Sequence, residues 1–208
     1  HSRGIMHRNI HPGNVLLNPK GKKDVTIVDF DNCEFYHQAQ YYATRRITKK
    51  GWLSPEMALN MQDYHYAVDC WGAGVIVAQM FYPTVPQFQV KENQTDVDFI
   101  AQIVGSEALA QMIEKYDLHA DLDDSVVAAL QANYPALDFA KLPSKKTSPH
   151  VVELLSQVLV ADPEFRMLPF EITTLELFDS QHEDAAEIQK ERAAEKANPK
   201  RLSDSDSE

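Results

Sequence analysis

Cysteine is scarce in this chain. Cys33 and Cys70 are the only two among 208 residues, too few for a disulfide framework and without metal-site spacing. Both read as small buried hydrophobes. Long apolar runs are missing as well. No stretch of about 18 or more apolar residues occurs, so no membrane span is expected. Basic charge is in deficit: 20 Lys and Arg stand against 31 Asp and Glu, a net charge of −11. That argues against a general nucleic-acid binder, which needs a basic face. There is no signal peptide and no initiating Met. The chain begins at His1, in what reads as the end of an element already under way, so a fragment is the expectation. A hydrophobic content of 44% fits one soluble, intracellular domain with a sizeable core.

What is present is organised around His7-Arg8-Asn9-Ile10-His11-Pro12-Gly13-Asn14. This polar loop feeds a short apolar strand, Val15-Leu16-Leu17. A second strand, 25–28, ends in Asp29-Phe30-Asp31, and the turn formers and charges of 18–24 lie between. The pattern predicts an antiparallel hairpin with a long tip. Antiparallel pairing brings the start of the first strand to the end of the second, so Asn14 and Asp29 should sit side by side at the mouth. An amide and a carboxylate fixed there form half of an oxygen-ligand site for a hard cation such as magnesium.

The stretch 32–52 has no sustained period and predicts a long loop. Phe35, Tyr36, Tyr41, Tyr42 and Trp52 argue that it is ordered. Residues 67–82 are apolar almost all round, which predicts a buried central helix. Asp69 is then a buried carboxylate needing donors, or else a helix-start carboxylate in the first turn. Amphipathic helices are predicted over 95–104, 106–116, 125–133, 149–161 and 169–178, with Pro149 tolerated in a first turn. Residues 183–198 are charged all round and read as a solvated or partner-binding helix. The final Ser/Asp-rich residues lack core formers and should be disordered alone. The expected domains are therefore 1–180 and a charged extension, 181–208.

At the central loop the chain resembles a protein kinase. His7-Arg8-Asn9 through Asn14 is similar to the catalytic loop H-R-D-x-x-x-x-N, and Asp29-Phe30-Asp31 to D-F-G. Ser54-Pro55-Glu56 resembles the A-P-E that closes an activation segment, here 29–56. Asp69, Trp71 and Gly74 match a D-x-W-x-x-G pattern. The order of these landmarks resembles the C-terminal lobe of a kinase, and most of all the catalytic subunit family of casein kinase II. His1-Ser2-Arg3-Gly4-Ile5-Met6, Glu34-Phe35-Tyr36-His37, Gly105-Ser106-Glu107-Ala108-Leu109 and Glu114-Lys115-Tyr116 carry that finer resemblance. The implied fold is mainly α: a helical C-lobe around the helix at 67–82, with the hairpin 15–17/25–28 carrying the site. The N-terminal lobe, with its Gly-rich loop, strand lysine and partner-helix glutamate, is absent from the sequence.

The resemblance also implies roles. Asp69 would hold the catalytic-loop backbone. Arg166 would pair with Glu56; the alternative is a surface arginine. Asn9 stands where the family has its catalytic aspartate. An amide can orient a hydroxyl and cannot take its proton, and general-base contributions are about 10²–10⁴-fold. His11 stands where a lysine usually meets the transferred phosphate, and Asp31 replaces the glycine of D-F-G. His7 and Arg8 are retained. Asn14 and Asp29 are vestigial magnesium ligands on this reading, or simply hydrogen-bond the hairpin mouth, which is preferred without the adenine-holding lobe. Arg45, Arg46, Lys49 and Lys50 fall where the subfamily recognises acidic substrates. They could dock an acidic segment, perhaps the chain's own tail, or form a solvated loop.

The expectation is a pseudokinase: not an enzyme, without a cofactor beyond a vestigial Mg-ATP site, and serving as an interaction subunit with protein partners in a larger assembly. A serine/threonine kinase fragment lacking its N-lobe, and a magnesium-nucleotide sensor, are the competing readings.

Overall fold

A computed structural model of the chain describes residues 1–18, 25–42, 49–144 and 147–178, the side chains of residues 120 and 121 excepted. The charged extension 181–208, Arg45 and Arg46 lie outside the described residues. Two compact units divide the chain, 1–172 and 173–208.

Within the first unit, helix is the dominant element and the strands are short. Strand β1 (Ile5–Met6) pairs antiparallel with β4 (Glu34–Phe35), and β2 (Val15–Leu17) with β3 (Val25–Ile27). Val15 lies opposite Ile27 and Leu17 opposite Val25. The Val28 N–H adds a bond to the Asn14 carbonyl at 3.0 Å. The predicted hairpin is thus formed, and it juxtaposes residue 14 with residues 28 and 29. The β1–β4 pair was not predicted, because two-residue strands carry no readable alternation.

Helix α1 (Pro55–Ala58) leads to α2 (Ala67–Phe81), which matches the central helix to within one residue. Residues 67–72 are buried throughout, with Trp71, Val75 and Ala78 fully inaccessible. The helix is not enclosed along its whole length, since Met80 is 68% exposed. Helices α3 (Asp96–Val104) and α4 (Ser106–Lys115) are joined by Gly105 at φ +87, a backbone conformation that favours glycine. A Cβ there would also meet the Ala136 nitrogen at 2.8 Å. Thr95 caps α3 through the Asp98 N–H, and Asp123 caps α5 (Asp124–Gln131) through Ser125 and Val126. Phe99, Ile100, Ile103, Leu109 and Met112 build the core between them.

Helix α6 (Pro149–Val158) stops three residues short of the predicted 161. The predicted helix over 169–178 is not continuous. It is one helical turn, α7 (Pro169–Ile172), and in the second unit a 3-10 turn, Glu176–Phe178. Thr173 and Thr174 separate them, and consecutive β-branched residues disfavour helix. Among the described residues after Asp31, fewer aromatics are buried than expected. Tyr42 and Trp52 are buried, whereas Tyr41 is 75% and Phe35 59% exposed. Tyr42 packs with Met6, Met57, Tyr64 and Val68. Cys70 is buried, and burial pushes its thiol up to about 12. Cys33 is only partly buried, because it follows a solvent-facing turn rather than lying on a core element.

Candidate active site

The site grows from two backbone anchors. Asp69, in the first turn of α2, accepts the His7 N–H and the Arg8 N–H, each at 2.7 Å. His1 adds an imidazole contact at 2.8 Å. Burial pushes the Asp69 carboxyl up, and the two N–H groups act against that shift. This carboxylate lies in the first turn of α2 and is also buried and bonded to the loop, so it does more than complement the helix start. It holds Arg8 in a left-handed conformation, φ 64, strain that the surrounding bonds must offset.

Gly72 makes the anchor possible. A Cβ on Gly72 would stand 2.6 Å from the Ile10 carbonyl oxygen, so α2 can lie against the loop only without one. Sequence reasoning passed over Gly72. The available signal was a glycine inside the best helix, where it costs about 1 kcal/mol relative to alanine.

The imidazole of His7 bridges inward. Its Nε2 lies 3.0 Å from the Val28 carbonyl, and its Nδ1 accepts the Asn9 N–H at 3.3 Å. Both contacts together require the Nε2–H neutral tautomer. The ring meets Phe30 edge-on at 4.9 Å. Arg8 donates to the Asn32 carbonyl at 2.7 Å and to the Tyr64 hydroxyl at 3.0 Å, and lies 3.6 Å from Glu34. Tyr64 was not anticipated as its partner.

Asn14 closes a 3-10 turn, Pro12–Asn14, that is capped by His11 Nδ1 accepting from Gly13. Its Nδ2 donates to the Asn9 carbonyl at 3.0 Å and to Asp29 Oδ2 at 3.1 Å. Asn9 Nδ2 donates to the same Oδ2, also at 3.1 Å. Asn9, Asn14 and Asp29 therefore meet at one oxygen. Asp29 adopts φ 69, so backbone strain sits at Asp29, while Asp31 lies outside the left-handed region and is exposed.

Magnesium is usually bound through one or two carboxylates, with waters and substrate phosphates completing its six oxygen ligands, rather than by a cage of protein groups. The mouth has one carboxylate beside these amides, and one of its oxygens already accepts two N–H groups. Among the described residues, no group of three His, Cys, Asp or Glu gathers to hold an ion. The donor set does not fit a cation held by the protein alone.

His11 is partly exposed, with its ring 6.4 Å from that of Trp52. Desolvation and then Lys49 hold its imidazole below the ordinary value, while Asp29 acts the other way. It is neutral near pH 7 and supplies no cation for a phosphate. Lys50 is exposed and donates to the Glu92 carbonyl.

Glu56 and Arg166 form a two-pronged pair at 2.7 and 2.9 Å, with both side chains fully buried. Arg166 also donates to the carbonyls of Ala67, Val160 and Ala161 and lies over the Trp71 ring. The pair therefore ties α1, the start of α2 and the loop after α6 together. A surface position for Arg166 is excluded.

This set of anchors agrees with a sequence comparison. The family model for the protein kinase domain matches residues 1–178. The chain belongs to the protein kinase domain family. The loop His7–Asn14 and the segment beginning at Asp29 both lie within the matched residues. No helix among the described residues is long and apolar enough to cross a membrane.

Proposed function

We propose that this kinase domain is a pseudokinase, related to the catalytic subunit of casein kinase II, that works as a folded interaction subunit in a larger assembly. The observation that carries the reading is the Asn9 side chain. Phosphoryl transfer to a hydroxyl needs an acceptor for the hydroxyl proton. Asn9 turns an N–H toward Asp29 at 3.1 Å, and its remaining Oδ1 belongs to an amide without useful basicity. His11 lacks the charge of a phosphate-binding lysine, and Asp31 adds negative charge on the phosphate side. The buried scaffold is meanwhile complete in Asp69, Glu56 and Arg166. Leu17, Val25 and Ile27, which the pairing register places on one face of the hairpin, stand 45–73% exposed, which supports a partnered role, since exposed apolar surface of this kind marks interaction sites.

The test is phosphate transfer from radiolabelled Mg-ATP to an acidic serine peptide by the purified chain. The expected result is transfer no higher than that of Asn9→Ala. Transfer clearly above that control would refute the reading and favour the competing one, a serine/threonine kinase that retains weak activity.

A further inference from the structure

We infer that Asn9 is a positioning residue that makes the hairpin mouth independent of divalent cations: its amide takes the place of a positive charge beside Asp29. This goes beyond the pseudokinase reading and holds whether or not the chain transfers phosphate, because it concerns what keeps Asp29 in place.

Three observations carry it. First, Asp29 Oδ2 accepts two side-chain N–H groups, one each from Asn9 and Asn14, both at 3.1 Å. Charge-assisted bonds to a carboxylate are about twice as strong as neutral ones. Second, the Asn9 amide makes this bond while its own Oδ1, buried, has no hydrogen-bond partner in the protein. A buried acceptor left unmade has a cost, so the orientation is set by the attraction of Asp29. Turning the amide over would place its oxygen against the carboxylate. Third, Asp29 holds φ 69, a conformation that persists only when neighbouring bonds over-determine it. The Asn9 backbone is fixed next to the Asp69 anchor, so its amide is a rigid donor.

An aspartate at position 9 would reverse the sign of this contact. Two carboxylates at hydrogen-bond distance cannot both stay ionised without compensation. A divalent cation with oxygen ligands supplies that compensation. The native amide removes the requirement.

The experiment is thermal unfolding of the full chain in EDTA and across a magnesium chloride titration, with calcium chloride as a second cation. The native chain should show the same Tm in both media. Asn9→Asp should melt several degrees lower in EDTA and recover saturably as magnesium is added. Asn9→Ala should melt lower and gain nothing from magnesium. The exchanged pair, Asn9→Asp with Asp29→Asn, places carboxylate and amide in opposite positions and should regain Tm in EDTA. That variant decides the matter if Asn9→Asp alone does not fold without cation. The inference is overturned if magnesium stabilises the native chain as much as Asn9→Asp, if Asn9→Asp matches the native chain in EDTA, if Asn9→Ala loses nothing, or if the exchange regains nothing.

Discussion

Replacing Arg166 by methionine removes six hydrogen bonds, from Nε, Nη1 and Nη2 to Glu56, Ala67, Val160 and Ala161. The side chain keeps its bulk over Trp71 and loses its charge. Glu56 is then a carboxylate with no solvent access and no counter-charge. Breaking a buried pair from one side costs about 3–5 kcal/mol. For a chain of this length, 1 kcal/mol moves Tm by roughly 2–4 °C, so the variant should melt roughly 6–20 °C lower. Because the guanidinium lies 5.3 Å from the Trp71 ring, tryptophan fluorescence in a urea titration gives an independent reading. Adding Glu56→Leu to Arg166→Met removes the stranded charge and should return part of the loss. The return is incomplete because the Val160 and Ala161 carbonyls still lack their guanidinium donor. The reasoning fails if Arg166→Met costs under about 0.5 kcal/mol, the range of an ordinary surface change, or if the double variant is no more stable than the single.

Other outcomes can be checked alongside. Gly72→Ala adds a methyl 2.6 Å from the Ile10 carbonyl. Overpacking of about 1–3 kcal/mol should exceed the helix-propensity gain of about 0.5–1 kcal/mol, and a raised urea midpoint would contradict the close approach. Burial, chiefly, depresses the His65 imidazole below its ordinary value of 6.5. Its unfolded form therefore takes up a proton first as pH falls. Stability is then level above about pH 6.5 and declines below it. Urea titrations across pH should show that decline, and it should be shallower in His65→Asn. Together with the phosphate-transfer and cation titrations above, these measurements address anchor, loop and mouth separately.

Much of the site was legible because its spacing is local. The hairpin follows from two apolar runs flanking turn formers, and pairing alone brings Asn14 to Asp29. The central helix follows from a stretch that is apolar almost all round and is bounded by Pro83. The helix over 169–178 was misread because apolar spacing alone does not register the Thr173–Thr174 pair. The β1–β4 pairing could not be read, since its two strands are too short for a pattern and its partners are about thirty residues apart in sequence.

By itself, the sequence determined the chemistry available at the mouth: an amide at position 9, an imidazole at 11 and carboxylates at 29 and 31. Those are covalent facts, and no fold can give an amide the basicity of a carboxylate. Only the tertiary structure decided what Asn9 does instead. Its amide faces Asp29 because Asp69, more than sixty positions along the chain, holds the neighbouring backbone from a helix that approaches through the missing side chain of Gly72. Bond directions of that kind depend on packing between distant segments, and no pattern confined to neighbouring residues encodes them.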